Sequence, residues 1–276
     1  MIKLNFCRIT LFAFILFAIN SNLQAQTTDT AQIIKIADFK IPQLNSQRTI
    51  RILLPAGYAT SGKMYPVIYM MDGQNLFKGA ADIKSTWGVD STLNSLPANK
   101  QCIIVGIDHA GKDRISEYSP YKTTYGTNDG VAFTRFLVET LKPYIDVHYR
   151  TKKEAKFTAI AGSSMGSLLA MYAIDKYPET YGVAGIFSPA FWIAPEIFKL
   201  TESQPLNKNQ RFYFTCGDNE SKQEVVDVMK MDSILRVKGY NTKQLPSAKI
   251  NVGAIHNETQ WRQAFPAFYN WFIRQL

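Results

Sequence analysis

One short segment constrains this chain more than any other: a strand-like apolar run that turns abruptly into a helix-like run. Residues 157–171 read FTAIAGSSMGSLLAM, so the turn has the pattern G-x-S-x-G with Ser164 at its centre. This pattern predicts a sharp strand-to-helix turn, in which a strained backbone lifts the serine hydroxyl above the edge of a sheet. Gly162 and Gly166 are needed on either side because a side chain at either position would collide with the turn.

The rest of the chain alternates between strand-like and helix-like segments. Two antiparallel-looking strands followed by β–α alternation predict a single α/β domain with a mostly parallel eight-stranded sheet flanked by helices. The strands are predicted at 33–39, 49–54, 67–71, 102–107, 157–161, 183–187, 211–216 and 248–252. The connection 188–210 is short, which predicts an open cleft with no large lid. Ligands of such sheets bind beyond the carboxyl ends of the strands, so we expect the functional residues at that edge.

The first 25 residues predict a secretory signal peptide. Lys3 and Arg8 form a positive start, residues 9–19 are apolar, and residues 20–25 are mostly polar or small. The apolar run is shorter than the roughly 20 residues that cross a membrane, so we expect no permanent membrane anchor. The predicted organisation is a signal peptide at 1–25 and an α/β domain at 26–276. The protein is then exported, to the periplasm or the extracellular space.

The composition excludes several classes of function. Lys and Arg number 31 and Asp and Glu 22, a net charge of +9, but the basic residues are scattered among acids. Because no basic stripe can follow a phosphate backbone, nucleic-acid binding is not expected. Three histidines without H-x-x-x-H or C-x-x-C spacing predict no metal site, and no cofactor is implied. Cys102 and Cys216 are interpreted as buried thiols of two strands, and the oligomeric state has no signal in the sequence.

A serine nucleophile needs a base, and His256 is the only histidine that follows Ser164 in the chain. The order expected with such a turn is serine, acid, histidine. His256 comes directly after the last predicted strand, and Asn257 can cap the helix that follows it. The acid is expected after the preceding strand, where RFYFTCGDNE contains Asp218 and Glu220. These residues alone leave both acids open.

Two backbone N–H groups are needed to stabilise the negative charge that develops on the attacked carbonyl oxygen. One is expected from Met165, directly after the serine. The other is expected from the loop after the third strand, YMMDGQNLF, at Gln74, with Gly73 as the alternative donor. Asp72 in this loop is interpreted as an acid that stabilises the turn.

Three aromatic residues are candidate contacts for a sugar or an aromatic acyl group: Trp87, Phe191 and Trp192. For each of them, packing in the core is the competing interpretation. Removal of Lys3 and Arg8 with the leader leaves a charge of +9 − 2 = +7, which slightly favours acidic substrates.

Several segments together resemble the putative-esterase (esterase D-like) family of α/β-hydrolases, from about Gln47 onward. They are MMDGQNLF, IIVGIDHAGKDRISEYSPY, LKPYIDVHYRT, AIAGSSMGSLLAMYAIDKYPE, GIFSPAFW and HNETQWRQAFPAFYNWF. The resemblance implies an α/β-hydrolase fold and a serine ester hydrolase with Ser164 as nucleophile and His256 as base. Many relatives carry the acid at the fourth position of a G-x-x-[DE] turn, which favours Glu220 over Asp218. The resemblance also implies that Arg114 lies beside the substrate.

The family includes feruloyl and acetyl-xylan esterases and siderophore ester hydrolases. We therefore expect a small-molecule or polysaccharide-linked ester as the partner, with acetyl or feruloyl groups on carbohydrate as the leading candidates. Alternatives are a siderophore ester, acyl transfer to a carbohydrate acceptor, and a non-catalytic carbohydrate-binding protein.

Overall fold

The computed structural model describes residues 31–78 and 86–276, and the predicted signal peptide lies outside them. One eight-stranded sheet forms its centre, in the order β1-β2-β4-β3-β5-β6-β7-β8. β1 is antiparallel to β2 and β2 to β4, and the other neighbours are parallel. The predicted fold class and all eight predicted strands are confirmed. Their bounds are β1 Gln32–Ile41, β2 Ser46–Leu54, β3 Val67–Met71, β4 Ile103–Ile107, β5 Thr158–Ser164, β6 Val183–Pro189, β7 Arg211–Gly217 and β8 Lys249–Asn251.

Helices cover both faces of the sheet. A wider helical turn at Leu137–Leu141 joins two of them, Gly130–Phe136 (α4) and Lys142–His148 (α5), into one continuous helix. The α-helices of the described residues are α1 Tyr58–Ser61, α2 Val89–Asn94, α3 Arg114–Tyr118, α4 Gly130–Phe136, α5 Lys142–His148, α6 Met165–Lys176, α7 Glu196–Ser203, α8 Lys222–Lys238 and α9 Glu258–Arg274.

Two apolar cores result, one on each face of the sheet. Successive residues of β3 alternate between them: Tyr69 and Met71 pack with helices α3 to α8, while Ile68 and Met70 pack with α2 and α9. Side chains of a strand point to opposite faces in turn, so a strand covered on both sides must be apolar throughout. This is why the inner strands read as continuous apolar runs in the sequence.

The connection between β6 and β7, which the sequence predicts to carry no large lid, has the eight-residue α7 as its main element. Beyond β8, Asn257 caps α9 as predicted and accepts a hydrogen bond from the Gln260 N–H at 3.1 Å. Cys102 and Cys216 are buried free thiols. In the part of the chain that the structure describes, no helix is both long and apolar enough to cross a bilayer.

Candidate active site

The turn between β5 and α6 has the strained geometry that the sequence predicts. Ser164 ends the strand with φ 56° and ψ −123°, a region that residues other than glycine rarely adopt. A Cβ on Gly162 would lie 2.7 Å from the carbonyl carbon of Gly166. A Cβ on Gly166 would lie 2.9 Å from the Cβ of Met71. Both glycines are therefore required, the first by the turn itself and the second by the packing of α6 against β3.

Ser167 secures this turn from behind. Its fully buried Oγ lies 2.6 Å from the Gly162 carbonyl oxygen and accepts the Phe187 N–H at 2.8 Å. The hydroxyl therefore links the first turn of α6 to β5 and to β6, and fixes the direction in which the helix leaves the strand.

His256 contacts one of the two candidate acids. Its Nδ1 lies 2.7 Å from Oε2 of Glu220, whose side chain is only 2% exposed, whereas that of His256 is 39% exposed. Oε1 of Glu220 accepts the Gly217 N–H at 2.6 Å and the Ser188 hydroxyl at 2.7 Å. Asp218 points elsewhere, because its Oδ1 accepts the Gly253 N–H at 2.6 Å. The tertiary structure thus brings Glu220, and not Asp218, to the imidazole.

Ser188 is a residue of this network to which the sequence analysis gave no role. It is fully buried at the end of β6, with φ 44°. Its Oγ also accepts the indole N–H of Trp261 at 2.9 Å, and the Trp261 ring packs edge-on against His256, with centroids 5.2 Å apart. One hydroxyl therefore positions both the carboxylate and the ring that support the imidazole. The sequence signal that could have identified Ser188 is its position directly after a predicted strand, at the carboxyl edge of the sheet.

Two cavities meet at Ser164 and His256. The first encloses about 410 Å³ and is lined by Ser164, Trp192, Glu220, Ser221, Gln223, Glu224 and His256. The second, of about 270 Å³, is lined by Asp72, Asn75, Trp87, Arg114, Ser163, Ser164, His256, Glu258 and Trp261. Because both side chains border both cavities, they face the same space. A direct hydrogen bond between them is not formed here, and such bonds often tighten only when substrate binds.

Arg114 lies in the second cavity and is already paired. Its Nε and Nη2 bind the two carboxyl oxygens of Asp72 at 2.6 and 2.8 Å. Burial lowers the pKa of the Arg114 guanidinium, but the hydrogen bonds and charge of Asp72 outweigh burial and raise it overall. Asp72 adopts a left-handed conformation, with φ 58°, at the turn after β3. Its carboxylate therefore orients Arg114 and makes no hydrogen bond within its own turn, so the expectation that Asp72 stabilises the turn stays a prediction.

The loop after β3 contains the predicted oxyanion donor Gln74. Its side-chain Oε1 accepts the His109 N–H at 3.0 Å, which ties the loop to the segment after β4. A Cβ on Gly73 would lie 2.7 Å from the backbone of Gly106, so only glycine allows this close approach. Met165, the other predicted donor, is the first residue of α6. The oxyanion roles of these N–H groups stay predictions.

The three candidate aromatic residues differ in exposure. Trp192 is 49% exposed beside the first cavity and meets Tyr125 edge-on, with ring centroids 6.2 Å apart. Phe191 is fully buried, and Trp87 is 1% exposed against Phe187 and other rings. Phe191 packs in the core and lines neither cavity, so for this residue the expectation of a substrate contact is corrected. Trp87 also packs in the core but lines the second cavity, so its contact with a substrate stays a prediction.

Glu224 and Asp227 are expected from the sequence on the exposed face of the helix after β7, but the structure buries both. The spacing S-x-x-E from Ser221 was a signal for the position of Glu224. Glu224 is 3% exposed and lines the first cavity. Burial, and then the neighbouring charges of Glu220 and Asp227, raise its pKa from 4.5 to about 8. Donor atoms of Glu220, Glu224 and His256 lie within 4.8 Å of one another, but the 2.7 Å hydrogen bond between Glu220 and His256 fills the space between those two. The expected absence of a metal stays a prediction.

Glu224→Gln should change how the stability of the protein depends on pH. Because folding raises the pKa of this carboxyl, the stability linked to its proton is complete below about pH 4.5 and is lost as pH rises to about 8. We expect the free energy of unfolding of the variant, relative to wild type, to increase across this window in denaturant titrations. Glu202→Gln, at an exposed position of α7, should show no such trend. Parallel pH curves for wild type and Glu224→Gln would contradict the prediction.

Comparison with known proteins gives consistent matches. The putative esterase family matches residues 41–272. Bacillus subtilis YbbA, an uncharacterized protein, is 23% identical over 241 residues, which cover 81% of this chain and 92% of YbbA. The endo-1,4-beta-xylanase/feruloyl esterase of Xylanibacter ruminicola is 25% identical over 231 residues, 78% of this chain. The chain spans only 28% of that longer protein.

Solved structures agree on the fold. A ferulic acid esterase superposes with a TM-score of 0.70 at 17% identity, covering 90% of this chain and 99% of that one. The enterobactin esterase of Shigella flexneri superposes with a TM-score of 0.65 at 18% identity, covering 89% and 58%. At such identities the likeness concerns the fold alone. The family match, in contrast, extends from the end of β1 to α9 and includes Ser164, Glu220 and His256. The chain therefore belongs to the putative esterase family.

Proposed function

We propose that this protein is an exported serine ester hydrolase that acts through an acyl-enzyme, with Ser164, His256 and Glu220 as its catalytic residues. One observation carries the proposal: the strained turn presents Ser164 to the same two cavities as His256, whose ring Glu220 orients through Nδ1. This is the arrangement of nucleophile, base and orienting acid that acyl transfer requires.

In the first step, Ser164 Oγ attacks the ester carbonyl carbon while His256 Nε2 takes the hydroxyl proton. The carbonyl oxygen becomes an oxyanion, for which the N–H groups of Met165 and Gln74 are the proposed donors. The N-terminus of α6 adds a favourable dipole at the same place. When the carbon–oxygen bond to the alcohol breaks, His256 returns its proton to the leaving oxygen. An ester of Ser164 remains.

In the second step, water attacks this ester with His256 again as the base, and the acid product leaves with Ser164 regenerated. Glu220 accepts the Nδ1–H throughout, so Nε2 is the free nitrogen of the neutral ring and the imidazolium is stabilised when it forms. The donors Gly217 and Ser188 fix the carboxylate orientation on which this depends.

For the substrate we propose acetyl or feruloyl esters on carbohydrate. The open edge of the sheet and the half-exposed Trp192 suit a bulky alcohol group, and one similar protein is named a xylanase/feruloyl esterase. A siderophore ester is the second candidate, because an enterobactin esterase shares the fold. Acyl transfer to a carbohydrate hydroxyl is an alternative reaction for the same acyl-enzyme. The family match speaks against the other alternative, a non-catalytic carbohydrate-binding protein.

The charges around the cavities favour the first candidate over the siderophore. The positive charge of the whole chain is not repeated at the site, because the acids in the cavity walls include Asp72, Glu220 and Glu258. The basic side chain in these walls, Arg114, is paired with Asp72. A strongly anionic ferric siderophore would be repelled there, so the slight preference for acidic substrates expected from composition is not supported locally.

A substrate panel tests the proposal. Acetylated xylan, methyl ferulate, a ferric siderophore ester and p-nitrophenyl acetate should be compared, with and without a sugar acceptor. We expect release of acetate or ferulate at a rate that the sugar acceptor does not increase. New sugar esters would indicate transfer instead, and no turnover of any ester would reject the hydrolase. Export is checked by cell fractionation and by the N-terminus of the mature protein, expected near residue 26.

A further inference from the structure

A buried carboxyl group without a partner borders the proposed nucleophile. Oε1 of Glu224 is sealed from solvent and has no hydrogen-bond partner among the described residues. Buried polar atoms in folded proteins are almost always paired, so an orphaned one in a cavity wall marks a place where a ligand group can complete the pairing. The cavity is the same 410 Å³ space that Ser164 and His256 line.

The local fold leaves the carboxyl group of this cavity-lining residue without an internal partner in the described part of the chain. Glu224 lies three residues after Ser221, the capping residue of α8, and its N–H donates to Ser221 Oγ at 3.0 Å. In a complete capping box the glutamate would in turn accept the Ser221 N–H, which would satisfy both groups. The structure forms the first bond and not the second. The Glu224 carboxyl is therefore left available to a ligand.

We propose that Glu224 and Trp192 form a recognition subsite for an uncharged, hydroxyl-bearing ring of the substrate, in which Glu224 exchanges hydrogen bonds with a ring hydroxyl. This inference rests on the proposed ester hydrolysis at Ser164. The half-exposed Trp192 supplies an apolar surface for the ring, and the carboxyl group supplies polar recognition.

The charge of the ligand follows from the groups around Glu224. Glu220 and Asp227 lie close enough to raise its pKa, and none of the described residues that line this cavity is Lys or Arg. An anionic ligand is therefore disfavoured. At neutral pH the Glu224 carboxyl is mainly protonated, so it has one O–H to donate and one oxygen to accept, as a hydroxyl does. An uncharged hydroxyl matches both functions without requiring Glu224 to ionise.

The test compares esters that differ only in one ring hydroxyl group. On the alcohol side, trans-4-hydroxycyclohexyl acetate is compared with cyclohexyl acetate; on the acyl side, methyl 4-hydroxycinnamate is compared with methyl cinnamate. For Glu224→Leu we expect the kcat/KM ratio of polar to apolar ester to fall about tenfold in at least one pair. Glu224→Gln, which still donates and accepts, should keep both ratios within about threefold of wild type.

Asp227→Asn is the matched control, since Asp227 is a buried acid of the same helix with an unpartnered oxygen but does not line the cavity. Its ratios should equal those of wild type. If Glu224→Leu does not fold, Glu224→Met provides a second apolar variant. If Glu224→Leu lowers kcat/KM equally for both esters of each pair, the ratio of polar to apolar ester is unchanged. This result would indicate a structural role and overturn the inference. Failure of wild type to hydrolyse any of the four esters would instead reject the proposed function.

Discussion

Replacement of Ser164 by alanine is expected to lower kcat for ester hydrolysis by about 10⁴- to 10⁶-fold, with KM changed little. The reason is that alanine has no oxygen with which to form the acyl-enzyme, while the cavities that bind substrate remain. The residual rate would come from the oxyanion donors and from substrate binding alone. Steady-state kinetics with p-nitrophenyl acetate measure the change.

The neighbouring serine provides a matched control. Ser163 is also at the end of β5, but its side chain is 2% exposed and is not placed at the tip of the strained turn. Ser163→Ala should retain activity within about tenfold of wild type, because packing and not chemistry is altered. A phosphonate ester that labels serine nucleophiles should modify wild type and Ser163→Ala at Ser164, and leave Ser164→Ala unmodified. A comparable loss of kcat in Ser163→Ala and Ser164→Ala would contradict the assignment of Ser164 as the nucleophile.

Replacement of Glu220 by glutamine is expected to lower kcat by about 10³- to 10⁴-fold. The amide has nearly the shape of the carboxylate but no charge to stabilise the imidazolium. Its NH₂ group can also face Nδ1, which favours the tautomer that carries the proton on Nε2 and so disables the base. The two groups that donate to Oε1, Gly217 N–H and Ser188 Oγ, favour an orientation with the amide oxygen toward them and the nitrogen toward His256.

Asp218→Asn is the control for this substitution. Asp218 is two residues away in the same turn, and its carboxylate accepts the Gly253 N–H instead of contacting His256. The variant should keep kcat within a few-fold of wild type, about the effect of one altered exposed hydrogen bond. The assignment of the acid fails if Asp218→Asn is the more damaging of the two, whatever the absolute rates.

The strands and the strained turn were predictable because their signals are local. A strand buried on both faces needs consecutive apolar residues, so β3 was found at its observed bounds, Val67–Met71. At the turn, Gly162 and Gly166 meet each other directly, so the need for Gly162 is local, whereas the contact of Gly166 with Met71 of β3 is not. His256 was identified because it is the only histidine that follows Ser164 in the chain.

The features that the sequence analysis missed or left open depend on contacts between distant segments. Trp87 and Trp192 have the same chemistry, and only packing decides that the first is enclosed by rings of β6 and α9 while the second stays half-exposed. Arg114 was expected beside the substrate and lines the second cavity, but no sequence pattern indicated its ion pair with Asp72, 42 residues earlier in the chain. Ser188 reaches Trp261 across 73 residues. The periodicity of apolar residues along the sequence carries no information about such pairs.

The sequence by itself determined the fold class, the turn that presents Ser164 and the choice of His256 as the proposed base, because each rests on apolar periodicity, turn chemistry or chain order. The residues alone left Asp218 and Glu220 open. Only the tertiary structure brings Glu220 to His256, turns Asp218 toward Gly253, and leaves the Glu224 carboxyl unpaired in a cavity wall. The physical reason is that the direction and burial of a side chain are set by what packs against it, and those neighbours come from distant parts of the chain.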